Sequence, residues 1–263
     1  MNTDTLVNVL IGMFLVSIHI FVWFLIADLR KRLSTTFTLL FTAQTVMNIA
    51  NYLLFWTTVR LNGEKFFWFF YEGIRDFPIV RGTFNFAFYL LKFEQHVCAV
   101  LITAHTYLNT SNPLKPKPNW LFPTLVIALN VLSMGLSALI IAISQFSYDY
   151  NAALGMFKTF IPKQDFDVAV ISRVVFCTIM FGLCTVLNIL SIHNIRSIAF
   201  KALKKVEVSL IVISTAIFVG QLCSIVITLA FNGLTLAGQV SAAFAIQPFV
   251  AIVGDVFSFG PAL

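Results

Sequence analysis

Seven long apolar segments constrain this chain more than any other feature. A helix needs about 20 mainly apolar residues to cross a bilayer. Segments of this kind fall at residues 5–27, 37–59, 80–107, 120–143, 167–190, 207–231 and 239–263. Only 11% of the residues are charged, whereas soluble domains carry about 25%. The sequence therefore predicts an all-α membrane protein, a single seven-helix domain over residues 1–263.

The lysines and arginines of the predicted loops indicate the orientation of the bundle. The first, third and fifth loops carry nine of them, and the second, fourth and sixth carry five over a longer stretch. Because basic residues concentrate in cytoplasmic loops, the odd-numbered loops are predicted to be cytoplasmic and the N-terminus extracellular. The third and fifth loops present a basic surface for anionic lipid or for an intracellular partner. Its members are Lys115, Lys117, Arg196, Lys201, Lys204 and Lys205.

Polar side chains recur at helical spacing inside several predicted spans. Gln44 and Asn48 share one face of the second span, and Gln221 lies on a similar face of the sixth. Such faces meet other helices, where small and polar side chains pack and hydrogen-bond, or they line a ligand pocket or a water-filled cavity. In a ligand pocket between the outer halves of the helices, the polar contact residues would be Gln44, Asn48, Glu94 and Gln221.

The third predicted span carries ionisable side chains on more than one face. Lys92 and His96 are four residues apart and share a face, whereas Glu94 points elsewhere. A helix with polar groups on two faces should be surrounded by protein, so this span is predicted to be central. A lone charge near the bilayer midplane costs about 2.5–3.5 kcal/mol on insertion scales, so Glu94 needs a partner, a proton or a function. Together with Asp255 of the seventh span, Glu94 leaves an ion or solute transporter or channel as an alternative function.

The basic residues, cysteines and histidines of the chain give no sign of a nucleic-acid-binding, metal-binding or enzymatic function. The pI of about 9.3 comes from the loop lysines and arginines of a membrane protein, so no nucleic-acid partner is predicted. The four cysteines lie in apolar segments and the four histidines are scattered, so no disulfide framework, metal site, cofactor or enzyme motif is predicted.

Six consecutive aromatic residues at 66–71 are typical of the membrane–water interface, with a contribution to ligand entry as the alternative.

Three stretches carry a further signal in their order along the chain. The second span reads STTFTLLFTAQTVMNIANYLLFW, and the sixth begins KKVEVSLIVIS, with Glu207 after a basic pair. The seventh reads QPFVAIVGDVFSFGPAL, where Asp255 is placed between two prolines. This order resembles G-protein-coupled receptors and, more closely, nematode serpentine chemoreceptors of the Srg superfamily (the Srg, Srv and related classes).

The resemblance implies a multi-pass receptor in the plasma membrane of sensory-neuron cilia. Such a receptor detects small, odorant-like environmental molecules, signals through a heterotrimeric G protein and has no enzymatic activity. Glu207 and Asp255 would then be structural or switching polar groups. Where the family places an arginine at the cytoplasmic end of the third span, this chain has His105. A receptor of this kind is also expected to continue past Leu263 into a basic cytoplasmic tail.

Overall fold

The computed structural model describes residues 35–57, 61, 64–111, 121–152, 155–160, 162–197, 225–234 and 237–239, with isolated residues between 13 and 24 and between 215 and 246. Most of the first and seventh predicted spans lies outside these residues. So do Gln221, Glu207, Asp255, Lys115, Lys117, Lys201, Lys204 and Lys205. Of Arg196, only the helical backbone is described.

Six helices and one β-hairpin are described as continuous segments, and the isolated residues between 13 and 24 and between 215 and 223 are also helical. In order they are α1 (Thr35–Phe55), α2 (Trp68–Asp76), α3 (Pro78–Ser111), α4 (Leu121–Ile143), β1 (Ser147–Asn151), β2 (Met156–Phe160), α5 (Lys163–Ser197) and α6 (Ile225–Leu234). A single 3-10 turn precedes α2. Helices α1, α3, α4 and α5 correspond to the second, third, fourth and fifth predicted spans.

Three of these helices are long and apolar enough to cross a membrane, counting only the residues that the structure describes. The segments are Pro78–Ser111, Leu121–Ile143 and Asp165–Asn194. Helix α1, with 21 residues, also has the length required for a hydrocarbon core about 30 Å thick. Helix α3 has 34 residues, about 51 Å at roughly 1.5 Å per residue, so it is longer than that core is thick.

Helix α3 is the centre of the described bundle. It packs against α1, α4 and α5, and every side chain from Phe93 to Thr106 is buried. The predicted central position of the third span is confirmed. Aromatic and aliphatic side chains fill the space around it, and Phe93 lies 4.6 Å from Phe176 of α5 between ring centroids.

The connection between α4 and α5 forms an antiparallel hairpin, which the sequence analysis treated as loop. Asn151 of β1 is opposite Met156 of β2, so four residues make the turn. Gly155 closes this turn with a φ of +63°, a left-handed conformation that is costly for residues with a Cβ. The end of the bundle that carries this structure is called the hairpin end below, and the opposite one the Ser111 end.

The hairpin covers an aromatic cluster that includes part of the aromatic run at 66–71. Tyr71 of α2 is buried and stacks on Phe157 of β2, with ring centroids 5.5 Å apart. The hydroxyl of Tyr71 donates to the backbone oxygen of Thr57, and burial raises the pKa of Tyr71. In this run only Phe66 and Phe69 keep more than half of their surface exposed, at 57% and 72%. The other four side chains of the run pack against protein, so only these two are available for the predicted membrane anchoring.

Candidate functional site

A chain of buried amides joins α1 to α3. The Nδ2 of Asn51 donates to the Oε1 of Gln95 at 2.7 Å, and the Nε2 of Gln95 donates to the Oδ1 of Asn48 at 2.9 Å. Asn48 and Gln95 are each only 2% exposed. Water is scarce at this depth, so these amides must satisfy one another. Gln95 thus uses both ends of its amide to hold the two helices in register.

The same polar face of α1 retains unused hydrogen-bonding atoms. The Oε1 of Gln44, the Nδ2 of Asn48 and the Oδ1 of Asn51 are buried with no hydrogen-bond partner among the residues that the structure describes. Gln44 lies one helical turn before Asn48, on the same side of α1. An unmet buried donor or acceptor costs about 1–3 kcal/mol, so a water molecule or a polar ligand would be stabilised here.

Glu94 is next to Gln95 in sequence but faces a different helix. It is 5% exposed, and one of its carboxyl oxygens accepts a hydrogen bond from the hydroxyl of Ser133 on α4. Ser133 also contacts the backbone oxygen of Asn130 at 2.9 Å. The predicted polar points Gln44 and Asn48 therefore share one face toward α3, whereas Glu94 belongs to the α3–α4 contact. Gln221 lies outside the described residues.

Basic groups gather on the side of α3 that faces α5. Lys92 lies over the ring of Phe88, 5.6 Å from its centroid, and interacts electrostatically with Arg173 of α5 and with His96. Arg173 donates from Nη2 to the Oδ1 of Asn232 on α6 at 2.9 Å. Arg173 therefore joins α5 to α6.

His105 lies between helices at the Ser111 end of the bundle. It is 7% exposed and packs between Phe37 of α1 and Phe122 of α4, with ring centroids 6.1 and 5.9 Å away. Its ring nitrogens lie 3.2 and 3.4 Å from the side-chain nitrogen of Asn109. A partner protein would reach this imidazole only after the surrounding helices separate.

Gln95 is a polar residue of the amide chain between α1 and α3 that the sequence does not predict. An isolated charge inside an apolar segment makes Glu94 conspicuous, whereas the neighbouring amide carries no such signal. The available signal was the spacing of Asn48 and Asn51 on α1, whose polar face requires a polar partner on whichever helix it meets.

The described bundle has membrane-length helices with their polar groups turned inward, and this combination defines an α-helical membrane protein. The sequence model of the Srg family chemoreceptors matches residues 5–263 of the chain. The protein belongs to this family, which is one of receptors rather than enzymes, and its resemblance to serpentine chemoreceptors is confirmed. A comparison with curated proteins found no match.

Proposed function

We propose that the chain is a chemosensory receptor for small environmental molecules that signals through a heterotrimeric G protein. In this proposal it forms one seven-span domain in the plasma membrane of sensory cilia, with its N-terminus outside. Family membership supports the receptor class, and the single structural observation that carries the proposal is the incompletely satisfied amide layer between α1 and α3. The unsatisfied amide groups can hydrogen-bond to a ligand. A ligand bound there contacts both helices and can stabilise one of two arrangements of α1 against α3.

The polar residues take separate parts in this proposal. Gln44, Asn48 and Gln221 contact the ligand, with Gln95 orienting Asn48, and Glu94 contributes from the α3–α4 side. The basic loops at Lys115, Lys117, Arg196, Lys201, Lys204 and Lys205, with His105 behind them, form the surface that couples to the G protein. Asp255 and Glu207 stabilise the bundle or take part in its switching. An Asp255→Leu variant with normal surface delivery and normal signalling would exclude both roles for that residue.

The test uses the full-length chain with an N-terminal epitope tag in a heterologous cell. Antibody staining without permeabilisation reports orientation and surface delivery, and a calcium or cAMP reporter is recorded across an odorant panel. We expect a ligand-dependent response, and we expect Asn48→Leu to abolish or strongly weaken it without reducing surface staining.

Asn130→Leu is the matched control for this substitution. Asn130 is partly buried in α4, and its side chain donates to the backbone oxygen of Val126 in its own helix at 2.7 Å. The control should respond like the wild type. A surface-delivered chain that answers no compound, or equal losses in the two variants, would count against the proposal.

An ion or solute transporter or channel is the second candidate, favoured by one observation. Glu94 is a buried acidic side chain inside a membrane-length helix, and residues of this kind often mark ion pathways. Reconstituted flux or current that disappears in Glu94→Ala would establish this alternative over the receptor. Proteoliposomes that carry no current or flux would exclude it.

A further inference from the structure

A cavity of about 810 Å³ opens at the hairpin end of the bundle. Its walls come from the first two turns of α3, the last turn of α4, the segment leading into β1, and Pro162 just before α5. Ligand pockets in proteins commonly measure about 300–1,000 Å³, so the cavity can hold a small organic molecule. It is separate from the amide layer between α1 and α3, since it has none of those residues in its wall.

Among the described residues that line this cavity, one has a charged side chain, Arg81. Within the described residues, its side chain donates a hydrogen bond of 3.4 Å from Nη1 to the backbone oxygen of Arg75. A guanidinium offers five N–H donors in a planar fork, so most of its donor capacity is left for another group.

Three nearby carboxylates have partners other than Arg81, and two of these partners, Gln145 and Ser147, belong to the cavity wall. Asp76 pairs with Arg75 at 2.8 Å, and Asp165 accepts the backbone N–H of Gln145 at 3.1 Å. Asp149 accepts the hydroxyl of Ser147, also at 3.1 Å. None of these three carboxylates forms an ion pair with Arg81 in the described part of the chain.

Two buried polar side chains in the same wall have hydrogen-bonding atoms without partners among the described residues. Asn85 is 4% exposed, and its Oδ1 accepts the hydroxyl of Tyr148 at 2.9 Å, which fixes the amide and leaves Nδ2 unpaired. The hydroxyl of Ser144, at the end of α4, is also buried and unpaired. Burying such groups unsatisfied costs free energy. Both atoms have almost no exposed surface, so a ligand acceptor would remove that cost after a small local movement that opens either atom to the cavity.

The backbone adds positive potential to the cavity. Two of the helix ends that line it are N-termini, those of α3 at Pro78 and of α5 after Pro162, and one is the C-terminus of α4 near Ile141. Helix N-termini carry a partial positive charge. Ile141 and Phe146 supply apolar surface to the wall, beside the polar side chains of Gln145 and Ser147.

From these observations we infer that the hairpin-end cavity binds a small amphipathic molecule through its carboxylate, held by Arg81, Asn85 and Ser144, with its apolar part against Ile141 and Phe146. The hydrogen-bond donors and the positive charge select an anion, and the bidentate geometry of arginine suits a carboxylate. This inference rests on the proposed chemosensory function only in treating the bound molecule as a signal. The binding itself does not depend on signalling.

The test measures binding on the purified full-length chain, without a G protein. The thermal unfolding midpoint is followed while ω-phenylalkanoates of increasing chain length are added, each beside its uncharged methyl ester. A ligand that binds only the folded state raises this midpoint in a concentration-dependent way. We expect at least one acid to raise it and its ester to have little effect.

Two variants and one control assign the site. Arg81→Gln should weaken acid binding by at least about tenfold, the loss expected for a hydrogen-bonded charge partner. Asn85→Asp keeps the oxygen that accepts from Tyr148 but replaces the amide N–H donor with a negatively charged carboxylate oxygen. It should weaken acid binding to a similar extent. Arg75→Gln, which alters an exposed arginine outside the cavity, should stay within about twofold of the wild type.

Several results would overturn the inference. The first is a panel in which no acid raises the unfolding midpoint, and the second is an equal rise with the acids and their esters. The third is an equal loss of acid binding in Arg81→Gln and Arg75→Gln. The fourth is a midpoint that rises with phosphatidylglycerol vesicles but not with the acids. Acid binding that survives without any cellular response would instead refute the proposed receptor function and leave this site standing. Loss of the acid preference refutes the site whatever the cells do.

Discussion

The interhelical amide chain leads to a quantitative prediction about Asn51 and Gln95. The two side chains share a 2.7 Å hydrogen bond between α1 and α3, and Gln95 makes a second bond, to Asn48, at 2.9 Å. Interhelical hydrogen bonds in membrane proteins average about 0.6 kcal/mol, with a maximum near 1.7. Asn51→Ala and Gln95→Ala should therefore show a coupling free energy of about 0.6–1.7 kcal/mol.

Gln95→Ala alone should cost more than Asn51→Ala. It removes both bonds and leaves the Oδ1 of Asn48 and the Nδ2 of Asn51 buried without their partner, and each such group costs about 1–3 kcal/mol. The double variant should be less destabilised than the sum of the two single variants, because their shared bond can be lost only once.

The assay is the free energy of unfolding of the purified chain from a denaturant titration in mixed micelles, applied to the wild type, both single variants and the double variant. Thr178→Ala supplies a matched cycle with Gln95→Ala, because Thr178 is exposed and its hydroxyl bonds to the oxygen of Val174 in its own helix at 2.8 Å. That control coupling should be zero within error. An Asn51–Gln95 coupling below about 0.3 kcal/mol, the usual deviation from additivity, would refute the claim that this bond holds α1 against α3.

Two further substitutions test other parts of the structure. Gly155→Ala should weaken the hairpin by about 1–2 kcal/mol, since a Cβ is strained at its positive φ. Hydrogen exchange of the strand amides measures the loss, and Gly182→Ala within α5 is the control. Strand amides that exchange as slowly as in the wild type would contradict the prediction. Ser133→Ala should destabilise the fold by about 1 kcal/mol more than Ser137→Ala, because only Ser133 donates to Glu94. Equal unfolding free energies for the two serine variants would show that the Glu94 contact contributes nothing.

The long helices could be predicted from the sequence because membrane insertion leaves few alternatives. Backbone groups in lipid must be satisfied within the segment, so a continuous apolar run reports a helix almost directly. The fourth predicted span begins at residue 120 and the helix at Leu121, and both end at 143. The third and fifth helices extend past the predicted 80–107 and 167–190 to Pro78–Ser111 and Lys163–Ser197, since a helix can continue after the hydrocarbon layer ends.

The hairpin could not be predicted by the same reasoning. Hydropathy distinguishes lipid from water but does not distinguish a loop from a strand outside the bilayer. The local signals were weak: β-favouring Tyr148 and Tyr150 on one side of the turn, Phe157 on the other, and Gly155 between them. What stabilises the strands is contact with Tyr71 and its neighbours, which lie about 80 residues earlier in the chain and which no local pattern reveals.

The candidate site was predicted only in part, for a geometric reason. The spacing of Gln44 and Asn48 identifies a polar face because residues four apart lie together on a helix. A single sequence does not state which neighbouring helix that face meets. Around a central helix this ambiguity is greatest, since every side of it is buried and apolar periodicity no longer distinguishes one face from another.

The central position of α3 also limits how a ligand could act on the bundle. Three consecutive residues of α3 contact three different helices: Phe93 meets α5, Glu94 meets α4 and Gln95 meets α1. Successive residues of an α-helix are rotated by about 100°, so a rotation of α3 about its axis disturbs all three contacts at once. Arg81 and Asn85, at the hairpin end, belong to the same helix. A ligand changes a protein's conformation only when it binds one conformation more tightly than another. A molecule that binds Arg81 and Asn85 more tightly in one rotational position of α3 would favour that position. Its effect would reach the amide layer through about 20 Å of continuous helix.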